Sequence, residues 1–386
     1  MDFLSSLFNR NNDAAAQRTP LLPKNGESLA EHLKHCKAEP GQCPFVRRAA
    51  IAAANEDAIL SERDFRITPG GNATHADLSF RESLAALDDA HRIYATSDLH
   101  ATSLRDIDLS GHGIVIIGGD FISRPYEVAK PDLPRAQRPC RAQIDAMSVA
   151  FLRDTFLPWL SSHADKQFVI IPGNHDEFFR RYPDVVKWPD NAHFLLDSET
   201  EVNRLRIYGT PWCNGKNYET FDGTHEFLEE KFSHIPYGLD VLVSHAPPTI
   251  PGRNVDYSQR NAGHFGSPEL TEAILEKKPR LVVCGHVHTG DHRPVSLGNT
   301  LVVNVSRVGT LRNRRAFAGR SIGFVKPESD DNEAKPDFLI DGNDGQQIDP
   351  SAYMPVDRAT EALLADEFAS PTSRRHGAHR AHGSRE

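Results

Sequence analysis

Seven short apolar runs constrain this chain more than any other feature. They are "HRIYATS" (91–97), "HGIVIIGG" (112–119), "QFVIIPG" (167–173), "RLRIYGT" (204–210), "LDVLVSH" (239–245), "PRLVVCG" (279–285) and "TLVVNVS" (300–306). Each is rich in Val and Ile, spans four to seven residues and is bounded by Gly, Pro, Asp or Asn. That pattern predicts strands buried on both faces, as in the layered sheets of an α/β protein. Helical periodicity falls between some of them. "QIDAMSVAFLRDTFLPWLSSH" (143–163) repeats apolar residues at helical spacing, and "SPELTEAILEKK" (267–278) begins with Ser267 as N-cap and Pro268 at the first helical position.

The residues that follow the runs carry the chemistry. Asp98 and His100 follow the first, Asp120 the second, Asn174, His175 and Asp176 the third, His245 the fifth, and His286 and His288 the sixth. A single Asp or His at a strand end commonly caps a loop. Five strands ending this way are a different matter, because strands lying side by side bring their carboxyl ends to one edge and one crevice. Apart from His175 and Asp176, the convergent set is two Asp, one Asn and four His. This mixture of oxygen and imidazole donors suits Mn, Fe or Zn rather than Mg or Ca alone. Seven ligands exceed the needs of one ion and fit two ions sharing a carboxylate, a standard device for phosphoryl displacement.

The ordered series Asp98-Leu99-His100, Gly119-Asp120, Gly173-Asn174-His175-Asp176, Ser244-His245 and Gly285-His286-Val287-His288 resembles the calcineurin-like metallophosphoesterase superfamily. The segments "YGTPW" (208–212), "VSHAPP" (243–248) and "NTLVVNVS" (299–306) resemble its MPPED-like metallophosphodiesterase branch. The resemblance implies a four-layer αββα sandwich of two mixed β-sheets flanked by helices. It also implies two ions, with Asp98, His100, Asp120 and His288 at one position and Asn174, His245, His286 and the bridging Asp120 at the other. By the same resemblance, a hydroxide between the ions attacks phosphorus in line, and Asn174 and His175 face the substrate. His175 would protonate the leaving group, with Asp176 fixing its ring. The implied activity is a phosphodiesterase on small phosphodiesters such as cyclic nucleotides. A nuclease or phosphomonoesterase on the same site, or a catalytically weak regulatory binding protein, are the alternatives.

Two further residues are candidate substrate contacts, with a plain surface Arg and a packing Trp as the alternatives. Arg124 in "GGDFISRP" stands four residues after Asp120, a spacing that resembles the phosphate-binding Arg of the Ser/Thr phosphoprotein phosphatases. Trp212, with Cys213 and Asn214, follows a strand end where an aromatic ring can stack on a base. The stretch 123–142, with four Pro and five Lys or Arg, has the composition of a lid over an anionic substrate or of a plain surface loop. His32, His35, Cys36 and Cys43 cluster near the start without matching a known zinc spacing.

Composition bounds the rest. With 386 residues, 39% apolar and 25% charged, the chain has enough apolar content for a sizeable core. A net charge of −9 weighs against nucleic-acid or anionic-membrane partners, although the basic 123–142 stretch favours a polyanion locally. No apolar stretch approaches the length of a membrane span, and five cysteines, an odd number, fit a reducing cytoplasmic setting. The chain divides by composition into a flexible leader (1–28), an N-terminal helical extension (29–88), the metallophosphoesterase domain (89–327) and a largely disordered basic, His-rich extension (328–386).

Overall fold

All seven apolar runs form strands in a computed structural model that describes residues 65–67, 73–75, 84, 86–101, 104–105, 107–122, 140–215, 220–250, 252–258, 262–307, 316–317, 319–326, 335–340 and 347–348. The His32, His35, Cys36 and Cys43 cluster, Arg124 and most of the 123–142 stretch lie outside these residues, as do the 1–28 leader and most of the tail.

One sheet has eight strands. Numbering strands along the chain, β1 (Phe65–Ile67), β2 (Ala73–His75), β3 (Arg92–Thr96), β4 (Ile114–Ile117), β5 (Gln167–Ile170) and β6 (Ala192–Phe194) join β13 (Arg320–Val325) and β14 (Asp337–Ile340) in the order β2-β1-β14-β13-β3-β4-β5-β6. The second sheet has six strands. It contains β7 (Ser198–Val202), β8 (Leu205–Thr210), β9 (Val241–Ser244), β10 (Leu281–Cys284), β11 (Val295–Leu297) and β12 (Thr300–Asn304), ordered β11-β12-β10-β9-β8-β7. Both sheets are mixed. Strands β3 to β6 are parallel, as are β8, β9, β10 and β12, while the remaining pairs are antiparallel.

Period-two alternation splits each strand between two apolar layers. Ile93, Ala95, Ile114, Ile116 and Val169 from the first sheet meet Ile207, Val241, Val243, Leu281, Val283, Leu301 and Val303 from the second, all fully buried. The alternate residues Val115, Ile117, Phe168, Ile170, Leu242, Val282 and Val302 belong to the outer apolar cluster with residues of the helices. Helix α1 (Arg141–Phe151) runs through a π-helical turn (Leu152–Phe156) into α2 (Leu157–Ser162). The widened turn has a chemical cause: Pro158 has no N–H to give the Asp154 carbonyl, and the Leu157 N–H bonds Leu152 O five residues back. Phe156 from this turn stacks on Phe121 at 4.6 Å, and Trp159 meets Phe168 of β5 edge-on at 5.3 Å. Three more helices follow along the chain: α3 (Glu177–Arg181), α4 (His225–Ser233) and α5 (Pro268–Lys277). Ser267 caps α5 through its hydroxyl, which accepts from Leu270 N at 3.2 Å, as the sequence predicts.

The sheet does not respect the 89–327 boundary. Strands β1 and β2 come from the segment expected as a helical extension, and β14 comes from beyond residue 327. The edge of the parallel sheet supplies the reason. Strand β13 pairs with β3, and without β14 its backbone groups would lie open on that side. Phe338 and Ile340 of β14 are fully buried in the layer between the sheets. Among the described residues no helix is long and apolar enough to cross a membrane.

These facts make β14 part of the core. A chain ending at residue 327 is expected to lose its cooperative thermal transition, and Phe338→Ala to cost about 3–5 kcal/mol, read by denaturant unfolding. Wild-type melting of the truncated chain would show that β14 is dispensable.

Candidate metal centre

The parallel strands of both sheets end on the same side, and the sheets meet there. Ser97 pairs with Ser306 as an isolated parallel bridge, its N–H bonding Val305 O at 3.0 Å and its carbonyl accepting from Arg307 N at 2.8 Å. One junction therefore collects the loop after β3 with those after β4, β5, β9 and β10. The backbone bends sharply to achieve this. Asp98, His100, Asp120 and His286 all have left-handed φ angles of 58°, 46°, 53° and 66°, a conformation that costs a non-glycine residue about 1–3 kcal/mol and clusters at functional sites.

Glycine is required at two of the turns for lack of space. A Cβ on Gly173 would collide with the Asp120 carboxylate, and one on Gly285 with Ser97 Oγ and the Asp98 carboxylate. The Gly before Asn174 and the Gly before His286 are thus explained by carboxylates pressed onto bare backbone.

Two groups of ligand atoms form at the junction. In the first, Asp98, His100 and His288 offer atoms within 4.8 Å of one another. His288 Nε2 is 3.1 Å from Asp98 Oδ1 and 3.2 Å from His100 Nε2. In the second, His245 Nε2 and His286 Nδ1 lie 3.1 and 3.0 Å from Asn174 Oδ1. Metal bonds of about 2.1 Å place neighbouring ligands about 3.0 Å apart in an octahedron and about 3.4 Å apart in a tetrahedron. The observed spacings are those of ligands gathered round a cation. Asp120 stands between the groups: Oδ1 is 3.4 Å from His245 Nε2, and Oδ2 is 3.9 Å from His100 Nε2. Its two oxygens therefore face different groups, the arrangement a bridging carboxylate needs.

The protonation balance gives two of the imidazoles the form of ligands, while a third carries a proton that a cation would displace. Burial lowers His100 to about 4 and His286 to about 3, repulsion from neighbouring imidazoles adding to the effect, so both rings are neutral with a lone pair to give. Burial pushes the Asp98 and Asp120 carboxyls up, but the His288 and His245 imidazoles outweigh it and hold both well below the ordinary carboxylate range. Burial opposes charge on His245, and Asp120 and Asp98 overcome it, raising the ring to about 10. Its Nδ1 is held by the Gly118 carbonyl at 2.8 Å, which leaves Nε2 as the atom turned to the site.

Neighbouring residues hold the ligands in place. Asn304, fully buried, donates to Val287 O at 2.9 Å and Val255 O at 3.1 Å, fixing the loop between His286 and His288. His175 lies at the rim with its side chain 26% exposed, Nε2 4.0 Å from Asp120 Oδ2, its ring edge-on to His100 at 5.0 Å. Asp176 behaves differently from its expected role. Its carboxylate accepts from the backbone N–H groups of Ile122 and Gly173, both at 2.8 Å, and of Phe121 at 3.3 Å, tying the loop after β4 to the loop after β5. Three converging N–H groups thus hold its two oxygens. Burial and the Asp120 charge push this carboxyl up to about 8.

Trp212 is also corrected. It is 2% exposed, donates Nε1–H to Asp197 Oδ2 at 2.8 Å and packs edge-on against Phe221 and Phe227. Arg180 and Lys231 lie over its ring at 5.1 and 5.3 Å. An indole satisfied this fully has no face left for a base. Its neighbour Cys213 is the residue brought into the site, with a thiol grouped with His245 and His286 within 4.8 Å. Burial and the nearby carboxylates push that thiol well above its ordinary range.

Two mixed sheets with an Asp/Asn/His cluster at their shared carboxyl-end edge define a metal-dependent phosphoesterase architecture. The family model of the calcineurin-like phosphoesterases matches residues 91–290, and this chain belongs to that family. Human "Metallophosphoesterase domain-containing protein 1" is 32% identical over 179 residues, covering 39% of this chain and 53% of that protein. A UPF0046 protein of Caenorhabditis elegans is 31% identical over 117 residues, covering 30% and 41%. The chain thus spans about half the length of these curated relatives, or less. Among solved structures, that of TT1561 from Thermus thermophilus aligns with TM-score 0.36 and 16% identity over 55% of this chain and 88% of that chain.

Gly173→Ala tests the packing of the centre. The variant is expected to melt at a lower temperature and to lose about 10–100-fold in metal affinity, measured by equilibrium dialysis on the folded protein. Unchanged affinity would show that the Asp120 carboxylate does not rely on bare backbone.

Proposed function

We propose that this chain is a two-metal phosphodiesterase for small phosphodiesters, cyclic nucleotides among them. The observation that carries the reading is Asp120, buried between two ligand groups with one carboxylate oxygen toward each. Asp98, His100 and His288 would hold one ion, Asn174, His245 and His286 the other, and Asp120 both. Mn, Fe or Zn ions there would lower the pKa of water and stabilise the oxygens that enter and leave phosphorus.

The chain's own groups supply the rest. His175 stands beside the centre without belonging to either ligand group, and its partly exposed ring can reach a phosphate oxygen. As an imidazolium it would hydrogen-bond the phosphate and deliver a proton to the departing alkoxide. The His175 backbone N–H donates to Asp120 Oδ1 at 2.8 Å, so the acid and the bridging carboxylate keep a fixed relation. Asp176 acts through the backbone, holding the loops that carry Asp120 and Asn174 together. Arg124 as a phosphate clamp remains part of the proposal on its spacing alone. The domain reading is a phosphoesterase core that recruits β1, β2 and β14 from its flanks. Cys140, Cys213 and Cys284, the cysteines among the described residues, are all free, which supports a reducing compartment such as the cytoplasm.

Hydrolysis of bis(p-nitrophenyl) phosphate should require added Mn and exceed that of p-nitrophenyl phosphate. His175→Ala should retain bound metal and lose about 10²–10⁴ in kcat on diesters with poor leaving groups. Faster monoester cleavage would favour a phosphomonoesterase, and full activity of the His175 variant would remove the acid role.

A further inference from the structure

The Asp, Asn and His ligands account for two ions without any sulfur, yet a thiol stands among them. Cys213 is fully buried in a separate two-residue strand (Cys213–Asn214) shortly after β8, and its Sγ shares a group with the His245 and His286 ring nitrogens, every pair of atoms within 4.8 Å. With Zn–S bonds of about 2.3 Å and Zn–N bonds of about 2.1 Å, a tetrahedral ion separates S from N by about 3.6 Å. The 4.8 Å limit exceeds that separation by roughly 1.2 Å, so a small approach of thiol and imidazoles would complete coordination.

Its position is built. The Cys213 N–H donates to Phe221 O at 2.9 Å, its S–H donates to Pro211 O at 3.7 Å, and next to it Trp212 is locked by Asp197. The neighbouring Asn214 amide bonds the Gly266 carbonyl, holding the segment from its other side. The two imidazoles it approaches are held just as firmly. His245 is anchored on Gly118 O, and His286 gives its backbone N–H to the Asp98 carboxylate at 3.0 Å. A rigid thiol facing two rigid imidazoles is a soft donor placed at one metal position and missing from the other, since the group of Asp98, His100 and His288 contains no sulfur.

We infer that Cys213 is a further ligand of the ion held by Asn174, His245 and His286, and that its sulfur makes this position select Zn or another thiophilic ion over Mn. Soft thiolate donors favour Zn, whereas all-oxygen and imidazole sets accept Mn readily. The two positions thereby differ in chemistry, and a mixed metal pair follows. The inference rests on the assignment of His245 and His286 as ligands, and the test separates the two.

Metal-free full-length protein is loaded with Co²⁺ and examined for bound-ion stoichiometry and for the near-ultraviolet thiolate-to-cobalt charge-transfer band. The expected result is two ions per chain and a band that is lost in Cys213→Ser and kept in Cys284→Ser, Cys36→Ser and Cys43→Ser. Cys213→Ser should also reduce the preference for Zn over Mn, measured by competition, by about tenfold or more. Two bound ions with no band, or a band that survives Cys213→Ser, overturns the thiol ligand and leaves the imidazole assignment standing. Failure of wild-type protein to bind cobalt overturns both. If Cys213→Ser does not fold, a wild-type band kept in each of the Cys36, Cys43, Cys140 and Cys284 serine variants assigns it to Cys213, and a band lost in any of those four overturns the assignment.

Discussion

Two carboxylates buried where the sheets meet set the terms for the rest of the structure. Asp98 is fully buried and Asp120 is 1% exposed. Moving a carboxylate out of water costs several kcal/mol unless positive charge and hydrogen bonds meet it. The loops after β3, β5, β9 and β10 answer that need with donors: the N–H groups of His175 and His286, the imidazoles of His100, His245 and His288. Compensation by imidazole alone leaves rings crowded on one another, as at His100 and His288. A cation at each position resolves that crowding by using the same lone pairs as ligands. The left-handed turns and the glycines then follow, since they are what brings backbone from two sheets within reach of the same carboxyl groups.

Most of this centre was legible in the sequence because its residues are tied to the strongest local signals in the chain. Buried parallel strands read as unbroken Val and Ile runs, and a ligand that follows such a run has a fixed position at the sheet edge. Every one of the seven runs is a strand, and the seven candidate ligands converge. What the sequence conceals are elements whose stability comes from their partners. Ser198–Val202 is a polar edge strand, joined to β8 by a tight turn at Asn203 and Arg204, both with positive φ, and Arg at the second position gives no turn signal. Strand β13 carries Gly323 at its centre, and β14 has only four residues. Side-chain direction was equally hidden. Asp176 and Trp212 sit beside site residues in sequence, yet one turns to backbone N–H groups and the other into the core. Cys213, the next residue along, turns inward to the imidazoles.

Membership of the calcineurin-like phosphoesterase family fixes the class of chemistry more firmly than the substrate. The rim residues decide what is cleaved, and here they are His175 and the loops that join the sheets. The small diester proposed above suits a chain with a net charge of −9. The unequal chemistry of the two metal positions adds a second determinant, because the ion that fills each sets the acidity of the water and the strength of the grip on phosphate.

The most direct measurement is anomalous diffraction from crystals of the metal-loaded protein at the absorption edge of the ion supplied. The account predicts two peaks about 3.5–4 Å apart, one against Asp98, His100 and His288, the other against Asn174, His245 and His286, with Asp120 touching both. A single peak, or two peaks with Asp120 bound to neither or only one of them, would contradict it.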